Sequence, residues 1–248
     1  VSTEQRIPDD VSVDVPLEPD APRAVLGLQP MTPRQQLRSG RLPRRLTQLT
    51  IGLTIFGLSM AMLIRGGLGM IPWDVFHYGI AAHVPLTFGT IAILVALGVL
   101  LLWIPLREMP GLGTVANAIW VGISADLGLA LMSTPDSLAL KITMMVGGIV
   151  LNAFATALYI GAQFGPGPRD GLMTGLARRL PVSLRLIRTG IEVVVVVIGW
   201  LLGGVVGVGT VLFALAIGPL TQFFLPPLVV RVTPPPLSPA SAPAPPRA

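Results

Sequence analysis

The chain has no cysteine and only two histidines in 248 residues. The first absence excludes disulfides, thiolate zinc sites, iron–sulfur clusters and cysteine nucleophiles. The second makes any histidine metal site depend on carboxylates, and none are spaced for one. Charge is scarce too: Asp, Glu, Lys and Arg make up 12% of the chain, about half the ~25% of a soluble domain. Of the 29 charged residues, 15 lie in 1–45 and 231–248, leaving 14 for the 185 residues between. With 52% hydrophobic residues and a mean hydropathy of +0.75, a soluble globular protein is excluded. An integral membrane protein with two polar tails remains.

The tails are read as disordered. Residues 1–30 are acidic and interrupted by proline, without helical or strand periodicity. The sign flips at Arg34, Arg38, Arg41, Arg44 and Arg45, which complete a disordered tail over 1–45. No apolar run follows a short basic start, so no cleavable secretory signal is expected. The segment 231–248 is Pro/Ala-rich and expected to stay extended. The membrane domain occupies 46–230. A net charge of +5 raises nucleic acid as a partner, but the arginines flank apolar runs. Anionic lipid headgroups account for them, and nucleic acid is not expected.

Six apolar runs meet the ~20-residue requirement of a spanning helix: Leu46–Ile64, Leu86–Leu106, Leu112–Met132, Ile142–Phe164, Leu184–Leu202 and Val208–Leu225. An inside N-terminus puts Arg34 to Arg45, Arg107, Arg169, Arg178, Arg179, Arg185, Arg188 and Arg231 on the cytoplasmic side. Only Arg65 and Lys141 are left outside, so both termini are expected in the cytoplasm. The preference for arginine, 16 to a single lysine, is consistent with a high-GC bacterium.

A repeat underlies the spans. Gly69, Pro72, Asp74, Gly79 and Pro85 reappear 96 positions later as Gly165, Pro168, Asp170, Gly175 and Pro181. The register continues without a gap, from Gly111, Gly113, Thr114, Ala118 and Gly122 to Gly207, Gly209, Thr210, Ala214 and Gly218. Shared Leu and Val would mean little, whereas shared Gly, Pro, Asp and Thr at helix breaks mark a duplication. The units cover about 46–133 and 142–229. Three spans in each force the second unit to enter the membrane upside down, an architecture that secondary transporters use around a midplane site. The expected fold is therefore an all-α polytopic bundle of six transmembrane helices, built as two inverted three-helix repeats.

In each Gly-x-x-Pro-x-Asp loop, glycine ends one helix and proline opens the next. The aspartate then falls in the first turn, where the helix dipole favours it. The short helices Pro72–Val84 and Pro168–Leu180 cannot cross a bilayer, so they lie in the interface or re-enter beside a cavity. Gly69, Pro72, Asp74, Gly165, Pro168 and Asp170 are thus candidates for lining a substrate cavity. Gly113, Thr114, Gly209 and Thr210 are further candidates, with close helix packing as the alternative.

Asp126 and Glu192 are the acids that fall within the hydrocarbon, where a charge costs about 2.5–3.5 kcal/mol. Both are candidates for proton coupling. Arg188 lies one turn before Glu192, so a static ion pair is the alternative for that residue. A solvated helix end is the alternative for Asp126. The repeat breaks symmetry at both, since their counterparts are Gln222 and Ala96. His77 follows Asp74 by three residues, suited to a hydrogen bond on the helix surface or to a proton relay. Asn117, Asn152 and Gln163 suit a polar path or interhelical bonds.

GLGMIPWDVFHYGIA, PGLGTVANAIWVGISADLGL, RTGIEVVVVVIGWLLGGVVGVGT and LFALAIGPL resemble the YczE/YyaS/YitT group of bacterial membrane proteins, nearest its YczE branch. The likeness covers about 46–227 and neither tail. It implies a multi-pass inner-membrane protein, with antibiotic production or export suggested for some members, and it supplies no residue roles. The soluble C-terminal domain of the YitT branch is not expected here, the Pro/Ala tail standing in its place.

Function is therefore expected to be secondary transport, as proton-coupled export of a small organic molecule. A membrane adaptor acting through the tails, or a substrate-binding subunit of an uptake complex, are the alternatives. No metal spacing, serine elbow or P-loop is present, so no enzyme and no cofactor is expected. The partners expected are the bilayer and a small molecule, with a homo-oligomer left open.

Overall fold

The computed structural model describes Leu28 and residues 31–232. The expected disordered segments otherwise lie outside the described residues. All regular structure among the described residues is helical. A short helix α1 (Pro33–Arg38) precedes α2 (Leu42–Gly66), α3 (Pro72–Ala81), α4 (Phe88–Leu106) and α5 (Leu112–Leu131). Then come α6 (Leu138–Gly161), α7 (Pro168–Ala177), α8 (Leu184–Leu201) and α9 (Val208–Leu228).

The boundary of the N-terminal tail needs correction. The stretch 31–45 is not tail: Thr32 and Gln35 form a reciprocal capping box, Pro33 occupies the first turn of α1, and α2 begins at Leu42. Counting arginines as tail hid that helix start. Among the described residues, five helices are long and apolar enough to cross a bilayer: α2, α4, α5, α6 and α9. The expected sixth, α8, has 18 residues and carries Arg185, Arg188 and Glu192 in its first half. Its second half leaves Val193, Val194, Val197 and Ile198 exposed.

Each helix from α2 to α5 returns 96 positions later as α6 to α9, with bounds that agree within one residue. Packing follows the same rule. α2 lies against its own counterpart α6, α2 packs on α5 as α6 packs on α9, and the short helices cross over, α3 onto α8 and α7 onto α4.

Backbone contacts at the helix breaks repeat as well. Gly113 N–H donates to the Phe164 carbonyl at 2.8 Å, and Gly209 N–H donates to the Leu68 carbonyl at 2.8 Å. Thr210 Oγ1 accepts from Met70 N–H at 3.1 Å. In the other copy Pro166 replaces Met70 and has no N–H, so the Thr114 hydroxyl donates to the Pro166 carbonyl at 2.7 Å. Gly69 and Gly165 have φ of +129° and +103°, and a Cβ on Gly69 would lie 2.6 Å from Thr210 N. Glycine is required there by both conformation and space.

Arg45 was assigned to the headgroup-facing arginines, but it is fully buried. Its Nε and Nη2 donate to the Ala162 and Gln163 carbonyls at 2.9 and 2.8 Å, and Nη1 donates to the Gln36 carbonyl. The guanidinium thus closes the C-terminus of α6, where a cation suits the unpaired carbonyls.

Candidate functional site

A cavity of about 250 Å³ lies between the repeats and is walled by the short helices α3 and α7, by α8 and α9, and by the cavity faces of α2, α5 and α6. Its polar lining includes Asn117, Asn152, Tyr159, Arg169, Asp170, Arg188, Glu192 and Gln222. Phe56, Ile71, Ile160, Phe213 and Ile217 supply apolar walls. Such a mixture of few placed polar groups on apolar walls is the usual composition of a small-molecule site.

A second cavity of about 20 Å³ lies against α4 and α5. It is the repeat counterpart of the first. Its Trp73, His77, Ala92, Ala96, Val121 and Gly122 correspond, at the 96-residue offset, to Arg169, Met173, Arg188, Glu192, Ile217 and Gly218 of the large one. Asn117 and Pro168 line both. The difference is packing. On the small side α4 is seated on α5, and a Cβ on Gly122 would come within 2.5 Å of the Gly89 carbonyl oxygen. On the large side α8 and α9 have no equivalent packed seam among the described residues, and a Cβ on Gly218 meets nothing within 4 Å.

The two loop aspartates have different fates. Both occupy the first turns of their helices. Asp170 faces the large cavity, and its Oδ2 accepts from the Tyr159 hydroxyl at 2.7 Å. The counterpart of Tyr159 is Leu63, so Asp74 has no phenol to receive. Asp74 is fully buried, neither of its oxygens has a hydrogen-bond partner, and the nearest cation candidate is His77 Nδ1 at 3.5 Å. It does not line the large cavity.

Of the other expected residues, Pro72 and Pro168 line the large cavity. The Pro168 carbonyl is further fixed by Trp103 Nε1–H at 3.0 Å. Gly69, Gly113, Thr114, Gly165, Gly209 and Thr210 belong to the backbone clasps and lie outside the lining, which supports the packing alternative for Gly113, Thr114, Gly209 and Thr210. Asp126 accepts from the Thr87 hydroxyl at 2.5 Å and from Gly89 N–H at 2.7 Å. It therefore caps α4 from α5 and lies apart from the large cavity. Glu192 is in the cavity wall, paired with Arg188 Nε at 2.9 Å.

Sequence reasoning passed over three cavity groups. Tyr159 carried no signal beyond a hydroxyl in an apolar run. Arg169 was visible as the counterpart of Trp73; its guanidinium sits 5.4 Å from that indole ring and has no ion-pair partner among the described residues. Thr221 presents a buried hydroxyl with no partner. Among the described residues no three His, Cys, Asp or Glu side chains are grouped to hold a metal ion.

Residues 43–226 match a family of unknown function, DUF6198. An uncharacterized protein of Haemophilus influenzae is 40% identical over 177 residues, which is 71% of this chain and 81% of the relative. An uncharacterized membrane protein of Bacillus subtilis, YczE, is 31% identical over 177 residues, covering 71% of this chain and 82% of that protein. No solved structure matches the chain. With five bilayer-length apolar helices among the described residues and these relatives, the chain is a membrane protein that belongs to the YczE-like family DUF6198.

Proposed function

We propose that this protein is a secondary transporter of the bacterial inner membrane that moves a small organic molecule through the cavity between its two repeats. The observation that carries the reading is the pair of equivalent cavities, about 250 Å³ at one and about 20 Å³ at the other. An inverted duplication can exchange the conformations of its halves, so one open and one shut seam correspond to one of two access states. α8 is the sixth crossing in this reading, with its charged half beside the cavity and its exposed valines toward lipid. The arginine distribution supports an open seam on the cytoplasmic side, with both termini in the cytoplasm. Same-side pairs agree with that assignment: Arg178 pairs with Glu108, and Arg65 donates to the Leu129 carbonyl.

The chain's lack of cysteine makes the test direct. Asn117 lines both cavities, so Asn117→Cys is expected to react with a membrane-impermeant maleimide from either face, in inside-out and right-side-out vesicles alike. Labelling from one face only would refute alternating access.

A further inference from the structure

We propose that Asp74 and His77 together form a proton-binding site, set beside the cavity and exchanging one proton with it. Both side chains are sealed from solvent, at 0% and 2% exposure, with Nδ1 and Oδ1 3.5 Å apart. Neither of these atoms has a hydrogen-bond partner, nor does Asp74 Oδ2. An unpaired carboxylate in such surroundings is costly as an anion, and a proton shared across the gap removes that cost. Access exists as well: the small cavity touches His77, and its volume of about 20 Å³ is enough for about one water. Trp73, Asn117, Pro168 and Arg169 are common to its wall and to that of the large cavity, so the two adjoin.

Loading takes a proton from a hydronium in the adjoining water, which departs as water. The pair then changes from one negative charge to none. The groups facing it are few. α4, which packs on α3, has no titratable side chain, and Arg185, Arg188 and Glu192 are the charged residues of α8. Arg188 and Glu192 are paired with each other. From α7 comes Arg169, across the small cavity, and from α5 comes Asp126, already occupied by Thr87 and Gly89. Asp74 and His77 are therefore left as the coupling groups, in place of Asp126 and Glu192. The coupling role rests on the transporter reading; proton binding does not.

The test uses the full chain in lipid nanodiscs with nitrogen-15-labelled histidine. His83→Gln leaves a single imidazole, since the chain has two histidines. The His77 resonance is expected to pass through one protonation step on acidification. Asp74→Asn should lower the proton affinity at that step by about tenfold or more, and Asp74→Glu should restore it. No step, or the same midpoint in Asp74→Asn, overturns the proposal. Should the Asp74 variants not fold, proton uptake counted with a soluble indicator replaces them: His77→Gln is expected to take up one proton fewer per chain than wild type, and equal uptake refutes the site. Neither measurement involves transport. A chain that shows the step but is labelled at Asn117 from one face only refutes the transporter and keeps the proton site; the opposite pair of results does the reverse.

Discussion

Arg44 and Arg45 are neighbours of identical chemistry, and only the fold separates them. Arg45 is buried and satisfies carbonyls of Gln36, Ala162 and Gln163, two of which lie more than 100 residues away. Nothing local in the sequence announces such a contact, because the acceptors are ordinary backbone groups, one in α1 and two just past the end of α6. The same logic hid the Tyr159–Asp170 bond, whose partners come from α6 and α7. Local chemistry was legible where both halves of an interaction are close in sequence, as in Arg188–Glu192. Truncating Arg45 strands three acceptors, each costing about 1–3 kcal/mol if left buried and unpaired. Arg45→Ala is therefore expected to destabilise the protein by roughly 3 kcal/mol or more, read from SDS unfolding in mixed micelles. Arg45→Lys should recover little of this, since an ammonium cannot reproduce the planar fork that reaches all three carbonyls. Full stability in Arg45→Lys would show that charge alone matters there.

The helices themselves were the most legible feature. Apolar runs gave the positions of the long helices, and Gly-x-x-Pro-x-Asp gave the starts of α3 and α7, because proline and a first-turn acid mark helix starts by local physics. The use of the Gly-x-Gly-Thr elements was open between packing and ligand binding. That choice depends on which backbone lies opposite, and opposite lies the loop of the other repeat. Each clasp holds one helix start against the other repeat's break, so the two halves are interlocked at two equivalent points. Thr114→Val leaves the Pro166 carbonyl without its donor, and Thr210→Val leaves Met70 N–H without its acceptor. Each is expected to cost about 1–3 kcal/mol, seen as a lower melting temperature in detergent. Because the clasps share no atoms, the double variant should lose the sum of the two. A double variant no worse than either single one would mean that the clasps open together.

At the scale of the whole molecule, duplication makes the protein nearly symmetric in sequence register while its cavities are strongly unequal. Sequence could supply the symmetry but not the inequality, which arises because one seam is closed by glycine against glycine and the other is not. Gly89 and Gly122 let α4 and α5 touch backbone to backbone; at the equivalent positions stand Arg185 and Gly218, and the space at Gly218 is empty. If the halves exchange conformations, α8 must approach α9 near Gly218, and α4 must leave α5 near Gly122. Side chains at these two glycines then act in opposite senses. Gly218→Leu fills space that is empty in the present state, so folding should be unaffected while closure of α8 onto α9 is blocked. Gly122→Ala brings a Cβ within 2.5 Å of the Gly89 carbonyl oxygen, so it disfavours the present state and biases the α4–α5 seam toward opening. In an Asn117→Cys background, Gly218→Leu is expected to raise maleimide labelling from the cytoplasmic face and reduce it from the other by several-fold. Gly122→Ala should shift labelling the opposite way, since a strain of about 1.4 kcal/mol in one state changes the ratio of the two by tenfold. Parallel changes in both variants, or none, would mean that the large cavity is a fixed feature of one conformation and that the seams do not exchange.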